Sequence, residues 1–227
     1  MNLKNKIVVI TGGSKGFGKA LAKTFLGEGS KVVISSNNEK EIEDASKEIG
    51  ALGIFADVTK EEDLMHLADE TIKKFGVIDI WINNAGIFIP RGIVENLDMS
   101  EARVMFDVNV FGVINGSRVS LRYMKEKGDG TILNVISDSA LVSRPMSSIY
   151  CASKWAVNGF TKSIREGNEN ISVLAIYPGA MKTDIFGENK PDEYDNFMEP
   201  EYVAEKVINN LELEKPEEEL VIQRPIN

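Results

Sequence analysis

The segment from Lys6 to Gly29 constrains this chain more than any other. It reads KIVVIT, then GGSKGFG, then KALAKTFLGEG. A continuous β-branched run of that length is the mark of a strand buried on both faces of a parallel sheet. Leu21, Phe25 and Leu26 follow at helical spacing, and Gly29 supplies a stop. The loop between them, Thr11 to Gly18, reads TGGSKGFG. In a strand–loop–helix context each spaced glycine has a task. Gly12 permits the tight turn, Gly16 lets backbone approach a pyrophosphate, and Gly18 lets helix and strand pack closely. The helix N-terminus then offers unpaired N–H groups and a positive dipole end to phosphate. The segment reads as a dinucleotide-binding turn.

The same alternation continues to the other end. KVVIS, LGIFADV, VIDIWINNAG, GTILNVIS and ISVLAIYPG are short apolar runs, each separated from the next by a helical pattern. Ile42, Ala45 and Ile49 lie on one stripe closed by Gly50. Thr59 followed by Glu62 has the form of a capping box opening the next helix. One long helix is expected from about Ser100 to Lys127. Pro200 suits the first turn of a last helix, and ELVIQ reads as a closing strand. Six strands separated by helices, then one more, give a parallel sheet of about seven strands with helices on both faces. No linker, repeat or low-complexity segment divides it. The expectation is a single doubly wound Rossmann-type α/β domain over 1–227, with a cofactor half to about 136 and a catalytic and substrate half from 137.

Composition removes several function classes. The formal net charge is −9 and no long basic run is present, which argues against nucleic acid or an anionic membrane as partner. No apolar run approaches the roughly 20 residues needed to span a bilayer. The first residues reach glycines after four apolar positions, too short for a secretory signal. With one cysteine, Cys151, no intrachain disulfide can form, and a reducing, cytoplasmic home is expected. One histidine, His66, and no ligand-spaced cluster give no metal site; His66 is read as surface.

Tyr150 and Lys154 stand four positions apart in SSIYCASKWAV. Taken alone, that spacing fits an aromatic ring covered by a lysine stem on one helix face. It does not stand alone. The TGxxxGxG loop, NNAG at Asn83 to Gly86 after the fourth strand, and YxxxK after the fifth occur in the order and spacing of the short-chain dehydrogenase/reductase family. The chain resembles that family over essentially its whole length.

The resemblance implies a catalytic set of Asn109, Ser137, Tyr150 and Lys154. Ser137 lies thirteen positions before the tyrosine, at the end of ILNVIS; Asn109 lies in DVNVFG. In this reading Tyr150 is general acid and base for hydride transfer between a nicotinamide and a carbonyl or secondary alcohol. A phenol with an unperturbed pKa near 10 is brought toward about 7 by Lys154 and by the oxidised nicotinamide, which requires roughly 4 kcal/mol. Ser137 holds the substrate oxygen, and Asn109 supports Lys154 through a water. The resemblance further implies cofactor contacts at Gly12, Ser14, Lys15, Gly16, Phe17 and Gly18, at Asp57 and Val58, at Asn84, Ala85 and Gly86, and at Pro178, Gly179 and Thr183. Cys151 is expected to be a small buried hydrophobe, and Ala152, Ala156 and Phe160 the packed face of their helix.

Cofactor choice is addressed twice. In NAD-using relatives the second strand ends in an aspartate that binds ribose hydroxyls. Here that position is Ser36, with no carboxylate to repel a 2′-phosphate, and Lys15 precedes the middle glycine. Asn37 stands where many NADP enzymes carry arginine, so NADP is favoured and NAD stays open. The segment from Thr183 to Pro200 is expected to cover the substrate. Its Ile185, Phe186, Tyr194 and Phe197 among polar residues disfavour a deep steroid-like or long acyl pocket. The resemblance implies a homodimer or homotetramer joined through the helices beginning at Ser100 and holding Tyr150, where Trp155 and Phe160 supply apolar area. A cofactor-binding regulator that does not turn over substrate is the alternative.

Overall fold

A computed structural model of the chain describes residues 1–89 and 92–225, and strands and helices alternate along them. In chain order they are β1 (Ile7–Ile10), α1 (Gly16–Gly27), β2 (Lys31–Ser36), α2 (Glu39–Ile49), β3 (Leu52–Phe55), α3 (Glu61–Phe75) and β4 (Ile80–Asn83). Then follow α4 (Met99–Phe106), α5 (Gly112–Lys127), β5 (Gly130–Val135), α6 (Ser148–Glu166), β6 (Ile171–Pro178), α7 (Pro200–Glu212) and β7 (Glu219–Ile222). The strands form one seven-stranded sheet in the order β3-β2-β1-β4-β5-β6-β7. Every neighbouring pair is parallel. The order reverses direction between β1 and β4, and that switch opens a crevice at the carboxyl ends of the strands.

Strand periodicity decides which layer each residue serves, because successive side chains point to opposite faces. Ile10, Ile34, Ile82 and Leu133 pack with Phe25, Ile42 and Val207 from α1, α2 and α7. Their neighbours Val9, Val33, Trp81 and Ile132 pack with Leu64, Leu67, Val119 and Met124 from α3 and α5. Ala175 and Tyr177 of β6 meet Val157 of α6. Each such buried aliphatic side chain contributes about 1.5–3 kcal/mol, more than any local strand preference. This double burial is why the strands read as continuous apolar runs. No helix among the described residues is long and apolar enough to cross a membrane.

A chain of buried polar side chains ties the centre of the sheet to two helices. Trp81 Nε1 donates to Asn83 Oδ1 at 2.8 Å, and Asn83 Nδ2 donates to Asn134 Oδ1 at 2.8 Å and to Ser117 Oγ at 3.1 Å. Asn134 Nδ2 continues to Thr161 Oγ1 at 2.9 Å. With these partners satisfied, the network fixes α5 and α6 against β4 and β5. Gly116 is required beside it, because a Cβ there would collide with Asn83 Oδ1.

Three local expectations are corrected. The helix expected from Ser100 to Lys127 is interrupted by a π-helical turn at Asp107–Phe111, which separates α4 from α5. Thr59 does not cap α3: its N–H and hydroxyl bind Asp57 Oδ1 at 3.0 and 2.8 Å, and the helix begins at Glu61 after Lys60. On α6, Ala152 and Ala156 are exposed and Phe160 is half-buried, whereas Cys151, Ser153, Lys154, Val157, Asn158 and Thr161 are buried. The reason is that the crevice and the polar network claim that helix's inner face. His66 is exposed, as read.

Candidate active site

The glycine loop sits on the carboxyl end of β1, at the switch point. Gly12 has φ +63°, and a Cβ there would lie 2.8 Å from Ala85 Cα. Gly16 has φ +52° and faces Thr183, whose Cβ would lie 3.4 Å from a side chain at that position. At Gly18 a Cβ would collide with the Gly12 carbonyl. Only glycine meets those demands together. Lys15, the N-cap of α1, makes no side-chain cap bond, so the helix's first N–H groups face the crevice without a capping side chain. Ser14 and Phe17 are buried in the same loop. A backbone-lined cradle ending in an uncapped helix suits a pyrophosphate.

The NNAG segment is bonded directly to this loop. Thr11 Oγ1 accepts from the N–H groups of Asn84 and Ala85 at 3.1 and 3.2 Å. Asn84 Nδ2 donates to the carbonyls of Thr11 and Gly12 at 2.9 and 3.1 Å. Gly86 lies where Asn109 and Lys154 meet: a Cβ there would stand 3.3 Å from Asn109 Oδ1 and 3.8 Å from Lys154 Nζ.

Asn109 is fully buried and projects from the π-helical turn. Its Oδ1 accepts from Ile87 N at 2.8 Å and its Nδ2 donates to Ile87 O at 2.9 Å. The amide therefore clamps the chain after β4. Such π turns recur where a helix must re-aim a side chain.

Ser137, at the end of β5, accepts from Ser139 N at 3.1 Å and donates to Asp138 Oδ1 at 3.3 Å. Lys154 is 6% exposed; its Nζ lies 5.5 Å from the Tyr150 ring centroid and donates to Val135 O at 3.4 Å. Burial holds the Lys154 ammonium down at about 8. Burial also pushes the Tyr150 phenol up to about 12, with Asp138 adding to the rise and the Ser137 hydroxyl and Arg144 opposing it. Desolvation of the charged phenolate is the largest cause of the rise; the lowering expected from the sequence is that of Lys154 acting together with the bound oxidised nicotinamide.

The remaining candidates line the edges of the crevice. Ser36 is buried at the end of β2, its Oγ accepting from Asn38 N at 3.2 Å, and Asn37 is exposed. Asp57 and Val58 lie beyond β3; Val58 packs on Gly112 and its carbonyl accepts from Asn115 Nδ2 at 3.1 Å. Pro178 ends β6, and Gly179 N donates to Ile222 O at 2.8 Å. Lys15 is not free: its Nζ donates to Glu41 Oε1 at 3.0 Å.

Two groups of residues were not singled out by the sequence. Phe88 packs edge-on to Tyr150, with centroids 5.1 Å apart, and also against Phe186 at 5.6 Å. Phe186, Tyr194 and Phe197 continue the cluster, so an aromatic wall runs from Tyr150 into the segment after Thr183. Nothing local marks Phe88, because the contact is made across the crevice. Asp138 and Arg144 form an ion pair beside Ser137; it spans a loop and carries no periodic signal.

The family model described as short chain dehydrogenase matches residues 6–194. The chain belongs to that family. This short chain dehydrogenase is 34% identical over 194 residues to a 3α-hydroxysteroid dehydrogenase of Mediterraneibacter gnavus, covering 82% of this chain and 77% of that one. Among solved structures it is similar to a 3-ketoacyl-(acyl-carrier-protein) reductase from Brucella melitensis complexed with NADH. That match has TM-score 0.89, 30% identity and 97% of both chains. It is also similar to an alcohol dehydrogenase from the archaeon Thermococcus sibiricus complexed with 5-hydroxy-NADP. There the TM-score is 0.86, with 27% identity over 98% of this chain and 99% of that one.

Proposed function

We propose that this short chain dehydrogenase is an NADP(H)-preferring oxidoreductase acting on a small carbonyl or the matching secondary alcohol, with Tyr150 as general acid and base. The observation that carries the reading is the convergence of Ser137, Tyr150 and Lys154 beside Gly86 and the glycine loop at the switch point of the sheet. When bound, the dihydronicotinamide supplies a hydride to the carbonyl carbon. The chain's own residues deal with the oxygen. Tyr150 donates its hydroxyl proton to it, and a phenol held up at about 12 stays fully protonated for that step near neutral pH. Ser137 donates a hydrogen bond to the same oxygen, which matters most as charge develops there. Lys154, with its ammonium near pH 8, restores the proton to Tyr150. In alcohol oxidation these transfers run in reverse.

The cradle of Gly12, Gly16 and Gly18 holds the pyrophosphate, with Ser14 and Phe17 beside it. Asn84, Ala85, Gly86, Pro178, Gly179 and Thr183 border the nicotinamide side; Ser36, Asn37, Asp57 and Val58 border the adenosine side. Ser36 in place of a carboxylate, together with Lys15, supports NADP over NAD. The aromatic wall of Phe88, Phe186, Tyr194 and Phe197 favours substrates with an apolar substituent beside the carbonyl. The exposed apolar residues Val104, Phe111 and Trp155 on α4, the π turn and α6 support assembly into a homodimer or homotetramer.

The test is a panel of ketones, aldehydes and alcohols followed by nicotinamide absorbance with NADPH, NADH and their oxidised forms. Turnover with at least one small ketone or secondary alcohol is expected, with the higher kcat/KM for the phosphorylated cofactor. Tight nicotinamide binding with no turnover across the panel would favour the regulator reading instead.

A further inference from the structure

The adenosine corner of the crevice contains a partly exposed ion pair that joins the glycine loop to α2. Glu41, in the first turn of α2, accepts from Ser14 Oγ at 3.3 Å through Oε2 and from Lys15 Nζ at 3.0 Å through Oε1. The lysine and glutamate side chains are 60% and 37% exposed. An ion pair that exposed adds little to stability, so stability does not account for its placement. Its position is set instead by a short wired unit at the end of β2. Ser36 Oγ accepts from Asn38 N at 3.2 Å, and Asn38 Oδ1 accepts from Glu41 N at 3.1 Å. The cap of α2 thereby fixes Glu41 across from the glycine loop, over the strand end that reads the adenosine ribose in this fold.

We infer that Glu41 is a specificity-determining residue for the dinucleotide: its carboxylate occupies Lys15 and disfavours a 2′-phosphate at this corner. The inference rests on the proposed nicotinamide-dependent function. A 2′-phosphate gains from Lys15 only by taking the lysine from Glu41, and it then lies beside a carboxylate of like charge. Asn37 supplies an amide there and no second cation. A 2′-hydroxyl meets neither obstacle. Glu41 thus works against the phosphate preference that Ser36 and Lys15 set, and the wild type discriminates less than a free lysine would allow.

Glu41→Gln keeps the side chain's size and its ability to accept from Ser14 but removes the charge and releases Lys15. Calorimetric titration of the full chain with adenosine 2′,5′-bisphosphate and with adenosine 5′-monophosphate reads the corner without any turnover. The affinity ratio in favour of the bisphosphate is expected to rise about five- to tenfold in Glu41→Gln. That gain should vanish when Lys15→Ala is added. An unchanged ratio, or a gain that persists without Lys15, overturns the role of Glu41. Failure of the wild type to bind either nucleotide, or NADH and NADPH, instead overturns the nicotinamide reading on which it rests.

Discussion

At pH 7 a protonated Lys154 is buried at a cost to the fold. Burial brings its pKa from 10.5 to about 8, which at about 1.4 kcal/mol per pH unit is about 3 kcal/mol. Below pH 8 both the folded and unfolded chains hold the proton, and the cost is present in full. Between about pH 8 and 10.5 the unfolded chain keeps a proton that the folded chain releases, so stability from this group rises with pH. Lys154→Met is therefore expected to stabilise the fold by up to about 3 kcal/mol at pH 7, with the gain fading by pH 10.5, while activity is lost. Urea denaturation at the two pH values checks it; an equal effect at both would contradict the assignment. The spacing of Tyr150 and Lys154 was legible in the sequence because it is a helical interval. The setting of the Tyr150 ring was not, because Phe88 and Asp138, which lie about it, are brought in from other parts of the chain.

The stretch from Met99 to Lys127 shows what periodicity can and cannot disclose at the scale of an element. Its apolar pattern continues through Asp107–Phe111, so the sequence reads as one helix, and the extra residue of a π turn leaves no trace in composition. The turn nevertheless aims Asn109 at both backbone groups of Ile87. Asn109→Ala leaves that N–H and carbonyl without their partner, at about 1–3 kcal/mol for a buried polar group. A lowered thermal midpoint is expected, together with a higher KM for the nicotinamide through loosening of the segment after β4. An unchanged midpoint would show that water replaces the amide without cost. At the start of α2 Asn38 Oδ1 accepts from Glu41 N, while the Glu41 side chain turns away from the cap to Lys15. For α6, the run of small and aromatic residues misassigned the inner face because the buried side is largely polar, through Ser153, Asn158 and Thr161.

For the molecule as a whole, the strand runs and the glycine loop were enough to predict a doubly wound parallel sheet, because burial on both faces and a strand–glycine–helix turn have few other solutions. The proposed assembly rests on a different observation: Phe111 and Trp155 are 54% and 52% exposed on adjoining elements. Light scattering is expected to report two or four chains, and Phe111→Glu with Trp155→Glu is expected to yield the single chain; a wild-type mass of one chain contradicts the assembly. The central claim concerns the proton on Tyr150, and Tyr150→Phe tests it most directly, since the ring is kept and only the transferable proton is lost. With the best substrate found, kcat measured by nicotinamide absorbance is expected to fall about 10²–10⁴-fold, while the Kd for NADPH stays near the wild-type value. Near-normal turnover in the folded variant would contradict the account.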